Sequence, residues 1–422
     1  LLAVRASATA VLYPAPAGAV LSSDYVVKVN GQSVSVYRFL YHNQPYSFAY
    51  FDMSGTVNVD VTIASPWVKT PIIRPTSKAI TYTRRNDTIS FPLSKPITVS
   101  VEPDSNGIVD ATPLILIANP LEVNPPTPST PGVRYYGPGY HNAGLINLGS
   151  DSTLYIAGGA VVTGYVVATG NNIKIKGRGI LDGLGKYGMN DATGHRVLVL
   201  QNCANCAVDD IIVKDSGVWT FYIHDSSYVT APNVKILSTV GPMYQDGIDI
   251  DSSKYVTVQD SFVLSADDSF QIGGQFNRGA LDTVTVARCT LWSSGANNWR
   301  IGWVAQAPYI SNLTFTDIDV IHRNSYNHVV TVQESGTGTV GTPLTNVRFE
   351  NIRIEADNGW TGNFIEIQPQ VWGTDGATGP PGSVQNMYFK NIYLKGDRNP
   401  STAGTMLVQG PSASAYVRDV TF

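Results

Sequence analysis

A short unit that repeats from residue 133 onward restricts the possible folds of this chain more than any other feature. Each copy is an apolar strand, a small polar corner and a second strand, and no helical periodicity intervenes. Clear copies are Ile173-Lys-Ile-Lys-Gly-Arg-Gly-Ile-Leu-Asp-Gly, Val256-Thr-Val-Gln-Asp-Ser-Phe-Val-Leu, Val284-Thr-Val-Ala-Arg-Cys-Thr-Leu-Trp, Leu313-Thr-Phe-Thr-Asp-Ile-Asp-Val, Val347-Arg-Phe-Glu-Asn-Ile-Arg-Ile and Met387-Tyr-Phe-Lys-Asn-Ile-Tyr-Leu. From residue 256 the intervals are 28, 29, 34 and 40 residues, so the loops vary in length.

The repeat predicts a solenoid of stacked coils. Parallel strands normally need a helical crossover, so short strands joined by Asn, Asp and Gly corners instead predict an all-β, right-handed parallel β-helix. Asn351 and Asn391 stand at two such corners, and Asn tolerates the left-handed backbone that sharp corners require. A long antiparallel sandwich is the alternative, but hairpin dipeptides such as Asn-Gly are scarce.

The N-terminal part of the chain has a different pattern. Short strands there, such as Val57-Asn-Val-Asp-Val-Thr-Ile, alternate apolar and polar residues as half-buried antiparallel strands do. We therefore predict a β-sandwich over residues 1–123. A Pro-rich linker at 124–132 cannot join a sheet interior, and the β-helix domain then occupies residues 133–422.

Composition narrows the class of partner. Charged residues make up 14% of the chain, the net charge is −4 and no Lys/Arg cluster is present, so we expect no nucleic acid partner. No run of 18 apolar residues exists, so we expect no membrane span. Cys203-x-x-Cys206 lacks a second Cys or His pair, so we predict no zinc site there, and we expect no cofactor. The low charge and a start that looks trimmed predict a secreted protein, which we expect to be a monomer.

Two aspartate clusters lie about one coil apart. Asp246 precedes Asp267 by 21 residues and Asp268 by 22, so stacked coils would place the three carboxylates side by side. Crowded carboxylates repel and hold a proton tightly, as acid–base cleavage of a glycosidic bond requires. The alternative is turn capping, since Asp is common at corners. Asp249 and Asp251 could be the true partner, a calcium ligand or a turn cap.

The same residues resemble a known clan of glycoside hydrolases. Asp246-Gly-Ile-Asp followed by Asp267-Asp268 resembles the carboxylate core shared by family 28, the polygalacturonases, and family 49, the dextranases and isopullulanases. Gly177-Arg-Gly-Ile-Leu-Asp-Gly183 resembles the segment that opens the β-helix in that clan. The preceding sandwich, the stretch that ends in Trp303 and the stretch that ends in His322-Arg323 favour family 49. The chain also lacks the Asn-Thr-Asp, Gly-His-Gly and Arg-Ile-Lys motifs of family 28.

This resemblance implies an inverting hydrolase that uses no metal. Asp267 would be the general acid, while Asp246 and Asp268 would hold and deprotonate the attacking water. The first Asp stands two residues further from the pair than in family 49, which leaves Asp246 and Asp249 as alternatives for its position. The missing Arg-Ile-Lys implies a neutral polysaccharide, an α-glucan such as dextran or pullulan.

Substrate contacts are expected from side chains near the aspartates in sequence. Aromatic faces suit sugar rings, and Arg, His and amide groups suit hydroxyls. The candidates are His224, Tyr244, Gln245, Asp249, Trp299, Arg300 and Trp303, and the resemblance adds His322 and Arg323.

Three rival functions remain at this stage. The first is a polygalacturonase-like pectin hydrolase. The second is a calcium-dependent polysaccharide lyase, in which the aspartates would bind the metal. The third is a non-catalytic carbohydrate-binding solenoid, in which they would be structural.

Overall fold

The computed structural model describes residues 8–41, 44–64, 69–104, 112–184, 196–238, 244–273, 279–322, 328, 330–332, 341–355, 364–369, 379–395 and 406–422. Over these residues the chain is almost entirely β, and the one helical element is a 3-10 turn at Thr76–Lys78. No helix in this described part is long and apolar enough to cross a membrane.

Within its described residues, the first unit contains eleven strands in two sheets. They are β1 Thr9–Leu12, β2 Tyr25–Val29, β3 Gln32–Val34, β4 Val36–Tyr41, β5 Gln44–Ser54, β6 Val57–Ile63, β7 Ile72–Arg74, β8 Thr83–Arg85, β9 Thr88–Leu93, β10 Ile97–Glu102 and β11 Leu114–Pro120. One sheet has the order β1-β5-β11-β10-β7 with β4 on β5, and the other has the order β3-β2-β6-β9-β8. Alternate residues of β6 are buried, and they share one core with residues of the first sheet such as Phe51 and Leu116. The domain bounds stay a prediction, and no strand lies between Pro120 and Val133.

The described part of the second unit contains 26 strands, and their pairings are parallel. They are β12 Val133–Tyr136, β13 Gly139–Leu148, β14 Thr153–Ile156, β15 Ala160–Asn171, β16 Lys174–Gly177, β17 Ile180–Asp182, β18 Leu198–Ala204, β19 Ala207–Asp209, β20 Ile212–Lys214, β21 Phe221–His224, β22 Ser227–Pro232, β23 Lys235–Ser238, β24 Ile248–Asp251, β25 Lys254–Gln259, β26 Phe262–Ser265, β27 Phe270–Gly273, β28 Leu281–Ala287, β29 Thr290–Ser293, β30 Trp299–Ile301, β31 Ile310–His322, β32 Val330–Val332, β33 Leu344–Glu355, β34 Ile365–Ile367, β35 Val384–Lys395, β36 Met406–Val408 and β37 Val417–Thr421. Because each strand pairs with its counterpart one coil later, the predicted all-β solenoid is confirmed.

Each coil contributes strands to three faces. The groove face is the stack β18-β21-β24-β27-β30-β32-β34, and the interdomain face is the stack β17-β20-β23-β26-β29. The ladder face is the stack β16-β19-β22-β25-β28-β31-β33-β35. Alternate side chains of every strand point into the coil, so the three faces enclose one long apolar core.

Left-handed backbone marks the corners between these faces. Asn351 and Asn391 have φ of 56° and 53°, as the corner prediction requires. The same conformation recurs at one equivalent position on successive coils at the start of the ladder face, which we call the corner ladder: Asn205, Tyr228, Tyr255, Thr283, Asn312, Asn346 and Asn386.

The interdomain face packs against the first unit. Aromatic and aliphatic side chains of the first unit, including Phe48 and Ile117, contact Ile212, Leu264 and Trp292 in one buried cluster. This contact covers one face of the solenoid and leaves the groove face and the ladder face outside it.

Candidate active site

The coil register brings three aspartates together. Asp249 pairs with Gln271 on the next coil, an offset of 22 residues that also relates Asp246 to Asp268. The backbone N–H of Asp268 donates to Oδ1 of Asp246 at 2.9 Å. One carboxylate oxygen from each of Asp246, Asp267 and Asp268 lies within 4.8 Å of the others. We call these three residues the aspartate cluster.

The members of the cluster differ in their surroundings. Asp267 is partly exposed, and its two oxygens accept the backbone N–H groups of Tyr244 at 2.7 Å and Asp268 at 3.0 Å. Asp268 is 1% exposed, and its Oδ1 accepts both the backbone N–H of Asn297 at 2.9 Å and its side-chain amide at 2.8 Å. Oδ2 of Asp268 lies 3.3 Å from Nη1 of Arg300. Asp267 therefore reaches the surface, and Asp268 is held behind it.

Burial and like charge raise the pKa of two members of the cluster, Asp246 and Asp268. Burial raises the pKa of Asp246 well above its usual range, and the neighbouring carboxylates of Asp249, Asp267 and Asp268 raise it further. Burial also raises the pKa of Asp268 to about 6, although Arg300 opposes the shift. Carboxyl groups that titrate near neutral pH can both give and take protons, as glycoside hydrolysis requires.

Asp249 lies behind the cluster and has no exposed surface. Burial raises its pKa well above the usual range, against the attraction of Arg196. Neither of its carboxylate oxygens accepts a hydrogen bond from the residues that the structure describes. A proton shared with Asp246 would supply the missing donor. The structure thus groups Asp246, and not Asp249, with the Asp267–Asp268 pair, and Asp249 is not placed to contact a substrate.

Cations and aromatic rings flank the cluster along the groove face. Arg300 lies over the ring of Trp303, with its Cζ 3.7 Å from the ring centroid, and both side chains are partly exposed. On the other side, Cζ of Arg196 lies 4.4 Å from the ring of Trp219 and 4.8 Å from that of Tyr222. Sugar rings and hydroxyls find both apolar faces and donors in such a lining.

Sequence reasoning missed Arg196, Trp219, Tyr222 and Asn297. The register pairs Tyr222 with Asp249, 27 residues later, and Gln271 with Arg300, 29 residues later. The same offsets place Trp219 one coil before Asp246 and Asn297 one coil after Asp268. Counting whole coils outward from the aspartates would have found these two residues, but variable loop lengths conceal the count. Arg196 follows residues 185–195, which lie outside the described part, and has no such signal.

Two predicted substrate contacts are corrected by the direction of their side chains. Trp299 has no exposed surface and packs inside the coil, with its ring 5.8 Å from Phe315 and 5.6 Å from Phe349. Gln245 is also fully buried, and its amide donates to the carbonyl of Gly217 at 3.0 Å. Trp299 fills the core. Gln245 links the segment that holds Tyr244 and Asp246 to the backbone of Gly217.

The two contacts suggested by resemblance alone have different outcomes. His322 is 6% exposed, and its Nε2 lies 2.8 Å from Oε1 of Glu102 in the first unit. Its ring packs on Trp292, 4.1 Å away. His322 therefore belongs to the contact between the two units, which corrects its prediction as a substrate contact. Arg323 lies outside the described residues.

His224 and Tyr244 remain on the groove side. Nδ1 of His224 lies 2.8 Å from Oδ2 of Asp225, and its ring stacks on Tyr222 at 4.5 Å. On the next coil His224 pairs with Asp251, which follows Asp249 by two residues. His224 therefore lies to one side of the cluster. Tyr244 is partly exposed and has a left-handed backbone, with φ of 74°. Both stay predictions as substrate contacts.

The aspartate cluster could also hold a cation, since its oxygens are close enough to share one.

The cysteines do not form a metal site among the described residues. Cys203, Cys206 and Cys289 are buried free thiols, and none of them belongs to a group of three possible metal ligands there. A cavity of about 500 Å³ lies between the two units, near Lys78, Asp210 and Arg288, and does not include the aspartates.

Comparisons with known proteins extend these observations. The family model "Glycosyl hydrolases family 28" matches residues 149–395, which include the whole aspartate cluster. "Probable exopolygalacturonase B" of Aspergillus terreus is 26% identical over 274 residues, which cover 58% of this chain and 59% of that protein. "Endopolygalacturonase D" of Aspergillus niger is 25% identical over 240 residues, which cover 53% of this chain and 45% of that protein. The chain thus spans about half the length of the curated relatives it matches.

Two solved structures share the fold over nearly the whole chain. Dex49A from Penicillium minioluteum has a TM-score of 0.64 at 14% identity and covers 97% of this chain and 96% of its own. The family 28 exopolygalacturonase from Yersinia enterocolitica has a TM-score of 0.53 at 12% identity and covers 98% and 96%. At these identities the two structures show a common fold alone.

Proposed function

This chain belongs to the glycosyl hydrolases of family 28, and from that premise we propose that it is a secreted, inverting hydrolase of a pectin-type polygalacturonate. The curated relatives named as polygalacturonases support this substrate over the neutral α-glucan that the missing Arg-Ile-Lys motif predicted. The narrower assignment to family 49 is not confirmed, since the family model that matches is that of family 28.

The aspartate cluster within the matched segment carries this proposal. Asp267 is the exposed member and acts as the general acid on the leaving oxygen. Asp246 and Asp268 are buried side by side and hold the attacking water, which Asp268 deprotonates. Because the pKa of Asp268 is about 6, this base is ionised above that pH.

Arginines on the groove face support an acidic substrate. Arg196 is partly exposed, and its guanidinium lies over the rings of Trp219 and Tyr222. Arg300 is partly exposed beside Asp268. A galacturonate carboxylate would give each guanidinium a charge-assisted hydrogen bond.

A neutral α-glucan is the second candidate, favoured by one observation. Arg300-Ile-Gly302 places Gly where an Arg-Ile-Lys motif would carry a second cation. One lysine fewer weakens the attraction of the groove for a polyanion.

The test is the release of reducing sugar from polygalacturonate, dextran and pullulan in the presence of a chelator. Wild type is compared with Asp267→Asn and with Asp209→Asn, which removes a carboxylate from the ladder face and serves as the control. We expect release from polygalacturonate that Asp267→Asn abolishes and Asp209→Asn preserves. The anomer first formed, read by NMR, tests inversion.

Other outcomes distinguish the rivals. Release from dextran or pullulan alone would move the enzyme to the neutral glucans. Loss of activity with chelator, together with an unsaturated product, would identify a calcium-dependent lyase. Binding without turnover on every polymer would contradict the proposed hydrolase.

A further inference from the structure

Two tyrosines interrupt the corner ladder. Elsewhere in the ladder this left-handed position holds Asn or Thr, and the amides bond from coil to coil: Asn346 donates to Asn312 at 3.1 Å and Asn386 donates to Asn346 at 3.2 Å. On two adjacent coils the position holds Tyr228 and Tyr255, with φ of 54° and 57°. A bulky aromatic residue is unfavourable in this conformation, whereas Asn is tolerated. The backbone conformation at this corner therefore does not by itself favour tyrosine at these two positions.

The two rings form an exposed stacked pair. Their centroids are 4.7 Å apart and their planes differ by 13°. Tyr228 is 57% exposed and Tyr255 is 48% exposed, so much of the apolar ring surface faces solvent. A buried aromatic pair stabilises a core, but this pair lies at the surface, where a flat apolar face suits the face of a sugar ring.

A polar groove continues from the pair along the solenoid axis. It has a volume of about 340 Å³ and begins at Thr283, the ladder residue of the coil after Tyr255. The amides of Asn312, Asn346 and Asn386 line it, and Arg348 and Tyr388 lie beside them. Coils lie about 4.8 Å apart, close to the length of one pyranose residue. The groove therefore repeats amides at a spacing that matches a glycan chain, and each amide keeps hydrogen-bonding capacity beyond its coil-to-coil bonds.

We propose that Tyr228, Tyr255 and this groove form a second polysaccharide-binding site, outside the groove face, that takes a segment of the same polymer the enzyme cleaves. The tyrosines follow His224 and Asp251 by four residues each, so one corner separates the site from the groove face. A polymer long enough to turn this corner would contact both sites and gain effective concentration at the aspartates. The choice of occupant rests on the proposed function.

The test replaces both tyrosines with Asn, the residue that the corner ladder uses elsewhere. Because Asn tolerates the left-handed backbone, the double variant Tyr228→Asn/Tyr255→Asn is expected to unfold at no lower temperature than wild type. Tyr393, which is 58% exposed on β35, provides the control variant Tyr393→Asn. Binding is measured by electrophoretic retardation in gels that contain polygalacturonate, dextran or pullulan, in the Asp267→Asn background so that no polymer is cleaved.

We expect retardation by polygalacturonate to weaken about 10-fold in the double variant and to stay unchanged in the control. In the active enzyme we expect KM for that polymer to rise, with kcat on a trisaccharide unchanged. Retardation that does not depend on the tyrosines, or is absent on all three polymers, would overturn the second site. Tyrosine-dependent retardation without any hydrolysis would support the second site and contradict the proposed hydrolase, so the two failures are distinguishable.

Discussion

Two groups of buried carboxylates in this molecule have pKa values that are shifted in opposite directions. In the first, which we call the interdomain cluster, Arg74 lies between Glu102 and Glu355, and His322 pairs with Glu102 from the solenoid. Burial alone would raise the pKa of Glu102, but His322 and Arg74 lower it to about 2. In the aspartate cluster burial also raises carboxyl pKa values, and there the pKa of Asp246 and that of Asp268 remain raised.

The difference is the ratio of anions to cations. Each carboxylate of the interdomain cluster faces a cation, so ionisation stabilises the contact between the two units. The candidate active site holds four carboxylates, counting Asp249, and the cations that oppose the raised pKa values of Asp246, Asp249 and Asp268 are Arg300 and Arg196. An excess of negative charge that binds protons suits proton transfer and costs stability, whereas a balanced cluster contributes to stability.

The largest expected effect separates the two clusters by activity. Asp267→Asn removes the exposed acid, and we expect kcat/KM to fall by about 10³-fold or more, within the range that general acid–base groups contribute. The thermal unfolding midpoint should change little, because Asp267 is partly exposed and makes no ion pair in the described structure. Asn also keeps an oxygen that can accept one of its two backbone N–H bonds. Initial rates and thermal melts measure the two quantities. Retained activity with a lowered melting temperature would make Asp267 a structural residue and remove the contrast.

The second prediction concerns the balanced cluster. Arg74→Met leaves the buried carboxylates of Glu102 and Glu355 without their shared cation, and we expect unfolding free energy to fall by about 3–5 kcal/mol. Because the folded pKa of Glu102 lies below its unfolded value near 4.3, its contribution to stability is present above pH 4.3. That contribution is lost as pH falls towards 2, so the variant should lose most at neutral pH.

Activity provides the control for Arg74→Met. Below the melting temperature of the variant, kcat should match that of wild type, since Arg74 contacts no residue of the aspartate cluster in the described structure. Arg418→Met, which removes an exposed ion pair with Asp419, is the matched substitution and should change stability by less than about 1 kcal/mol. A kcat loss in Arg74→Met without a stability loss would contradict this division.

Much of the fold, but only part of the candidate site, could be predicted from the sequence. The strand and corner pattern predicted the solenoid, and the 22-residue step from Asp246 to Asp268 predicted their contact because it is one coil. Trp299 and Arg300 are adjacent in sequence, and which one points outward depends on register with Phe270 and Gln271, which sequence alone does not provide.

His322 shows the second limit of sequence reasoning. Its partner, Glu102, lies 220 residues earlier in a different unit, and no local pattern predicts such a contact. The resemblance placed His322 near the substrate, while the packing of the first unit on the interdomain face removed it from solvent.

The third prediction concerns the hydrogen bond that the Asn297 side chain donates to Asp268. Asn297 donates its amide to Asp268, and its own carbonyl accepts from His328 N–H at 3.0 Å and from the Thr331 hydroxyl at 3.2 Å. Asn297→Ala removes a hydrogen bond to a charged group, about 1.5–3 kcal/mol. The pKa of Asp268 should therefore rise above 6, and the acid limb of kcat/KM against pH should move up by about 1–2 units.

The control for this prediction is Asn147→Ala, which changes an exposed strand residue. It should leave the pH profile in place. If Asn297→Ala lowers kcat/KM equally at every pH, Asn297 acts on the substrate or on folding and does not position Asp268.

The smallest expected effect is a gain in stability from Asp249→Asn. In the folded chain burial holds the pKa of Asp249 well above its unfolded value near 3.9, so the folded state binds more protons than the unfolded state between those pH values. Stability must then fall as pH rises through that interval. Asn carries no charge to bury, and its amide can donate to Asp246, so the variant should escape this loss. We expect its unfolding free energy to exceed that of wild type by on the order of 1 kcal/mol at pH 7 and to match it at pH 3.5, measured by urea denaturation. A variant less stable than wild type at pH 7 would mean that the charge on Asp249 is balanced after all, and the contrast between the two clusters would fail at its most buried residue.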